Sequence, residues 1–290
     1  GGNRYTMIIF DYNAIALASI LANKTVEPDL ARHMILNTIR MYRQKFPKKD
    51  YGDTIIACDA SGNWRKDVYP QYKANRKKSR DASSFDWAAA FDIMNSVREE
   101  LHDNFPYKLI QINGCEADDI IGTLAYNTQE FGQFENVVII SNDHDFAQLQ
   151  VMDNVKQFSP LKKKFIVEKN PKLKLLTHIL KGDSGDGVPN VLSGDNVFVE
   201  GVRQTPLSQK KMDTFIATLQ DDSQSLENAT WFRNYQRNQR LVDLKFTPDH
   251  LRKEILDAFD KEPVGKGSLV LPYLINKKCR MLIECASEFM

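Results

Sequence analysis

The 290-residue chain is 42% hydrophobic and 27% charged, with a net charge of +1; this suits a main domain with a full core plus a smaller second one and excludes a disordered or fibrous chain. No run is long and apolar enough to span a membrane and no export signal is evident, so a cytoplasmic setting is expected. The four cysteines, Cys58, Cys115, Cys279 and Cys285, lack Cys-x-x-Cys or paired-His spacing, which favours reduced thiols over disulfides or zinc.

Thr6 to Phe10 is an apolar run closing on Asp11, and helical spacing follows from Ile15 to Leu21. Asp29 to Phe46 reads as an amphipathic helix through Leu30, Met34, Ile35, Ile39 and Tyr42. The apolar run recurs at Asp53 to Cys58 before Asp59, and at Tyr107 to Ile112 before Glu116-Ala117-Asp118-Asp119, which open a helix from Ile120 to Tyr126. It recurs again at Val137 to Ile140 before Ser141-Asn142-Asp143-His144-Asp145. Strands alternating with helices predict an α/β fold, a mainly parallel central sheet flanked by helices. A hairpin is expected at Val155 to Ser159 and Phe165 to Glu168, its turn carrying Lys162-Lys163-Lys164, followed by a helix from Leu173 to Leu180. Met212 to Leu219, Thr230 to Leu244, Asp249 to Phe259 and Asn276 to Glu288 read as helices. These place an α/β domain at 1–185 and a smaller, mainly helical lobe at 186–290.

Three carboxylates within residues 116–119 repel one another, by about 4 kcal/mol per close pair at an effective dielectric near 20. Taken alone they suit a helix start equally well. In an open α/β sheet, however, ligands bind outside the carboxyl ends of the strands, where Asp11, Asp59, Glu116, Asp118, Asp143 and Asp145 all fall. Their donors are all oxygen, with no His or Cys at matching positions, which selects hard cations such as magnesium or manganese. His144 reads as a solvated neighbour. Asp183 and Asp186, in Gly182-Asp183-Ser184-Gly185-Asp186-Gly187, either join the cluster or belong to a helix stop.

Between Trp64 and Arg80 stand seven Lys or Arg against one Asp. Interleaved aromatics set this stretch apart from a plain solvated face: the cations can neutralise phosphates, and Trp64, Tyr69 or Tyr72 can stack on an unpaired base. The arch-like region spans about 62–86, and Asn75 to Ser84 within it reads as a mobile element that closes on substrate. A helix from Trp87 to Asp103 follows.

Together these pieces resemble the flap endonuclease and 5' nuclease superfamily, and within it the T-even-phage ribonuclease H type of 5'-to-3' exonuclease. The resemblance rests on Asp11, Cys58-Asp59, Trp64-Arg65, Tyr72-Lys73-Ala74-Asn75-Arg76, Glu116-Ala117-Asp118-Asp119, Asp143 to Asp145 with Phe146, Gly182-Asp183-x-x-Asp186, and later Asn238 to Leu244. It implies two Mg2+ ions, for which Mn2+ can substitute. Asp11, Asp59, Glu116 and Asp118 would surround one, and Asp143, Asp145, Asp183 and Asp186 the other, with Asp118 between them and Asp119 an additional ligand. Lys73 and Arg76 would contact the scissile phosphate, with Arg65, Lys66, Tyr72, Lys77 and Lys78 also meeting nucleic acid. The substrates implied are DNA and RNA-DNA hybrid with 5' ends or flaps, cut during primer removal in phage-type replication. A single-strand-binding protein and a sliding clamp are the implied protein partners of a monomer in the host cytoplasm. One departure stands out: the family's glycine-rich duplex-gripping hairpin is absent from Val191 to Lys211, where Lys210 and Lys211 offer charge instead. Two other readings compete, a non-catalytic nucleic-acid scaffold and a metal phosphohydrolase of small molecules. No expected acid is missing, which disfavours the first, and the basic stretch disfavours the second.

Overall fold

Each apolar run that ends in an acid folds as a strand. The computed structural model describes residues 5–132, 134–221 and 225–290. Its six strands, β1 (Tyr5–Asp11), β2 (Asp53–Cys58), β3 (Lys108–Gln111), β4 (Asn136–Ile140), β5 (Val155–Ser159) and β6 (Lys164–Ile166), form one sheet in the order β3-β2-β1-β4-β5-β6. All neighbours run parallel except the hairpin partners β5 and β6.

Both faces of the sheet are covered, which is why its central strands are apolar without alternation. Along β1, Ile8 and Phe10 enter one core while Met7 and Ile9 enter the other, and β4 divides the same way. The first core is closed by α1 (Tyr12–Asn23), α2 (Pro28–Lys45) and, beyond the short α3 (Lys48–Tyr51), α4 (Trp64–Val68) and α5 (Arg76–Asp81), by α6 (Trp87–Asn104). The second packs beneath α7 (Ala117–Asn127) and a 3-10 helix at His144–Val151. A third cluster joins Tyr69 and Tyr72 to α8 (Pro171–Lys181), α9 (Gln209–Gln220) and α10 (Thr230–Val242).

The helices of 186–290 are spread over all three clusters, so no packing boundary follows residue 185. Leu251 and Ile255 of α11 (Asp249–Lys261) enter the core beneath α7. Val270, Tyr273 and Leu274 of α12 (Val270–Asn276) enter the core under α2 and α6. The long helix expected over Asn276 to Glu288 is broken. Lys278 takes a left-handed φ of 56°, after which the short α13 (Arg280–Ile283) and a 3-10 turn at Ala286–Phe289 return Leu282 and Phe289 to the same core. Tyr107 Oη donates to the Phe289 carbonyl at 2.8 Å, fastening that end. The four cysteines are free, and no helix among the described residues is long and apolar enough to cross a membrane.

Candidate active site

Strand order reverses between β1 and β4, which opens a crevice at their carboxyl ends. Asp11 ends β1, Asp59 follows β2, Glu116 and Asp118 begin α7, and Asp143 and Asp145 flank His144 after β4. Short bonds tie these ends together. Ser141 Oγ donates to Asp11 at 2.8 Å, the Ala117 N–H to Asp59 at 2.6 Å, and the Asp145 N–H to Asp143 at 2.9 Å. One oxygen each of Asp118, Asp143 and Asp145 lies within 4.8 Å of the others. With Asp11, Asp59, Glu116 and Asp186 they line a cavity of about 680 Å³.

The electrostatics are those of acids short of positive partners. Burial, reinforced by Asp59, pushes the Asp11 carboxyl up to about 8. Burial and then Asp143 push Asp145 to about 7. Asp118 is driven well above the ordinary range by burial, then by Asp143, Glu116, Asp11 and Asp145. Among the described residues, no hydrogen bond or ion pair offsets that repulsion at Asp118. A convergent set of oxygen donors that resists ionisation on its own fits divalent cations.

Asp119 does not belong to this set. It is wholly buried and receives five donors: Arg65 Nη2 at 2.8 Å, Arg65 Nη1 at 3.0 Å, Trp64 Nε1 at 3.2 Å, Thr247 Oγ1 at 2.8 Å and the Glu116 N–H at 3.0 Å. A carboxylate has about four lone-pair positions, so none remains for a metal. Its role is the capping box of α7. The expectation of nucleic-acid contact by Arg65 is corrected for the same reason: the residue is 2% exposed and also donates to the Leu241 carbonyl at 2.9 Å. Trp64, Tyr69 and Tyr72 are 7%, 2% and 4% exposed, which removes them as stacking faces.

Lys73 and Arg76 do reach the crevice. Lys73 Nζ pairs with Glu116 Oε1, and Glu116 holds the ammonium charged against the burial that opposes it. Arg76 Nη2 meets Asp186 Oδ1 at 2.6 Å. The loop from Gly182 to Val188, closed by an Asp183–Val188 bridge, presses on the base of the basic stretch. The Lys73 N–H donates to the Asp186 carbonyl at 2.8 Å. Gly187, at φ 73°, passes so close that a Cβ there would stand 3.0 Å from the Gln71 carbonyl oxygen. Lys66, Lys77 and Lys78 are exposed, as are Lys210 and Lys211 at the start of α9.

Beside the expected acids stands a histidine the sequence reading did not single out, His178. This ring, in the last turn of α8, has Nδ1 3.3 Å from Asp145 Oδ1 and Nε2 3.1 Å from Asp183 Oδ2. Its hydrogen bond holds the Asp183 carboxyl below the usual range. It lines a second cavity of about 740 Å³ that shares Asp143, Asp145 and Asp186 with the first. The signal was there to read: a histidine at a helix end, just before a Gly-Asp loop. His144 is exposed.

Residues 7–175 match the family model described as 5'-3' exonuclease, N-terminal resolvase-like domain, and residues 169–289 match that described as T4 RNase H, C terminal. The ribonuclease H of Enterobacteria phage T4 is 31% identical over 97% of this chain and 95% of its own length. The 5'-3' exonuclease of Buchnera aphidicola subsp. Schizaphis graminum is 31% identical over 57% of this chain and 56% of its own. Among solved structures, phage T5 5'-exonuclease with bound zinc superposes with a TM-score of 0.59 at 18% identity, covering 89% of this chain and 99% of that one. The T5 flap endonuclease with DNA and metal ions also gives 0.59 at 18% identity, covering 97% and 99%. At that identity the two structures speak for the fold.

Proposed function

The chain belongs to the 5'-3' exonuclease family, and we propose that it removes nucleotides from the 5' ends and flaps of duplex DNA and RNA-DNA hybrids by phosphodiester hydrolysis dependent on two divalent cations, magnesium with manganese as a substitute. One cation belongs with Asp11, Asp59, Glu116 and Asp118. The other belongs with Asp143, Asp145, Asp183 and Asp186. The observation that carries this reading is Asp118, ringed by repelling carboxylates and, among the described residues, with no cationic side chain paired to it. When bound, the ions supply an activated water and neutralise charge gathering on the phosphate.

The chain's own residues do the rest. Glu116 and Asp186 hold Lys73 and Arg76 at the cavity wall, where both can donate to phosphate oxygens as negative charge develops. Exposed Lys66, Lys77, Lys78, Lys210 and Lys211 extend the positive track along the backbone of the nucleic acid. Primer removal in the host cytoplasm by a monomer, beside a single-strand-binding protein and a sliding clamp, is the setting this chemistry suits.

Labelled 5'-flap duplex and RNA-DNA hybrid, incubated with magnesium or with chelator, test the reading. Metal-dependent release of products carrying 5'-phosphates is expected. Binding without cleavage would make the chain a scaffold, and turnover of small phosphoesters alone would make it a phosphohydrolase.

A further inference from the structure

We propose that His178 is a nitrogen ligand to the divalent ion held by Asp145 and Asp183, so that one of the two metal sites is mixed nitrogen and oxygen rather than all oxygen. The inference rests on the two-cation reading above and assigns a donor that the acids alone do not supply.

Geometry carries it. One ligand atom each of Asp145, His178 and Asp183 lies within 4.8 Å of the others. The Nε2-to-Asp183 Oδ2 separation of 3.1 Å matches the spacing of about 3 Å between adjacent vertices around an ion with bonds of about 2.1 Å, while Nδ1, 3.3 Å from Asp145 Oδ1, is placed to donate to that carboxylate. Two carboxylates face opposite edges of one ring. One ring nitrogen can therefore ligate while the other donates to a carboxylate, the arrangement that orients a metal-bound imidazole. The backbone builds this placement. Gly182, at φ 71°, caps α8 and turns the chain so that Asp183 faces back toward His178, and a Cβ at Gly182 would stand 2.4 Å from the Val188 carbonyl oxygen.

An imidazole donor moves preference away from magnesium toward manganese and the later first-row ions. This site should favour Mn2+ over Mg2+, while the site around Asp11, Asp59 and Asp118 stays indifferent.

The test is electron paramagnetic resonance of the full chain titrated with Mn2+, counting bound ions and reading 14N modulation from a coordinated ring. Two bound ions with one 14N signal are expected in the wild type. His178→Gln should abolish that signal and weaken one site by about tenfold or more, while His144→Gln, altering the other imidazole of the same cavity, should change neither. His178→Asp should let Mg2+ displace Mn2+ from that site at lower concentration than in the wild type. Two bound ions without 14N modulation, or modulation that survives His178→Gln, would overturn the ligand assignment while leaving the two-cation reading intact. Failure to bind Mn2+ at all would overturn both.

Discussion

Asp118 and Asp119 are adjacent in the chain, and their substitution should move stability in opposite directions. Asp119→Ala strips the acceptor from Arg65, which is 2% exposed, and from Trp64, Thr247 and the Glu116 N–H. Arg65 keeps only the longer contact to Glu116 Oε2 at 3.2 Å; breaking a buried pair costs about 3–5 kcal/mol, and losing the helix cap adds about 1 kcal/mol. A domain of this size loses about 2–4 °C of Tm per kcal/mol, so the variant should melt about 10–20 °C lower. Asp118→Asn removes a buried charge that Asp143, Glu116, Asp11 and Asp145 repel. In chelator it should melt at or above the wild type, and in magnesium it should bind nucleic acid without cutting it. Circular dichroism melts of both variants in EDTA, followed by a cleavage assay, decide the matter. If Asp119→Ala melts within about 2 °C of the wild type, or Asp118→Asn falls as far as Asp119→Ala, the division into structural and functional acids is wrong.

Lys73→Ala should lower the single-turnover cleavage rate by about 10²-fold, the loss of one transition-state donor, with substrate affinity changed much less; an unaltered rate removes Lys73 from the chemistry. Lys77→Ala with Lys78→Ala should weaken binding alike for all sequences and reduce the slope of log K against log salt by about 1.8, which fluorescence anisotropy across a salt series measures. Gly187→Ala demands a left-handed φ from an L residue, at about 1–2 kcal/mol, and pushes on the Gln71 carbonyl and Lys73 N–H; both Tm and cleavage rate should fall, and an intact rate would separate loop from chemistry. Asp11, raised to about 8, is about 3.9 when unfolded, so the folded state binds more protons between those limits and stability in chelator falls as pH rises through that window. The Tm advantage of Asp11→Asn over wild type in EDTA should accordingly grow from about pH 5.5 to 7.5, and an advantage that shrinks contradicts the assignment.

The strands and the acids that end them were legible because both signals are local. A strand covered on two faces writes a continuous apolar run, and the residue that follows it emerges at a fixed edge of the sheet. The basic stretch was legible only in part. Arg65 and Lys66 are neighbours of like charge, yet one is buried and the other exposed, and what separates them is a partner, Asp119, that pairing patterns in the sequence do not announce. Trp64, Tyr69 and Tyr72 went inward on the same terms, since packing against distant helices outweighed their place in a basic run. His178 went unread because its helix looks like an ordinary amphipathic one; its one sequence signal is its place at a helix end before a Gly-Asp loop, and the turn at Gly182 is what brings those last residues to the acids. The broken C-terminal helix follows the same logic, because Leu282 and Phe289 are placed by the core they fill.

The placement of Lys73 shows how the two halves of the site act as one unit. Its backbone sits at φ 55°, a conformation that costs an L residue about 1–2 kcal/mol and persists where surrounding structure over-determines it. The determinants are visible: the Lys73 N–H donates to the Asp186 carbonyl, Gly187 lies against Gln71, and the side chain is drawn to Glu116. Lys73 is thus set by the Gly-Asp loop and by the start of α7 rather than by α5, which begins beyond it. Arg76, the first residue of α5 and about half exposed, is held to the same loop through Asp186. The loop that presents Asp183 and Asp186 therefore also aims the cations meant for phosphate. Ordering that loop aligns acids and cations in a single step, so a disturbance confined to Gly182, whose Cβ would meet only Val188 and Pro189 backbone, reaches the phosphate contacts without touching either Lys73 or Arg76 directly.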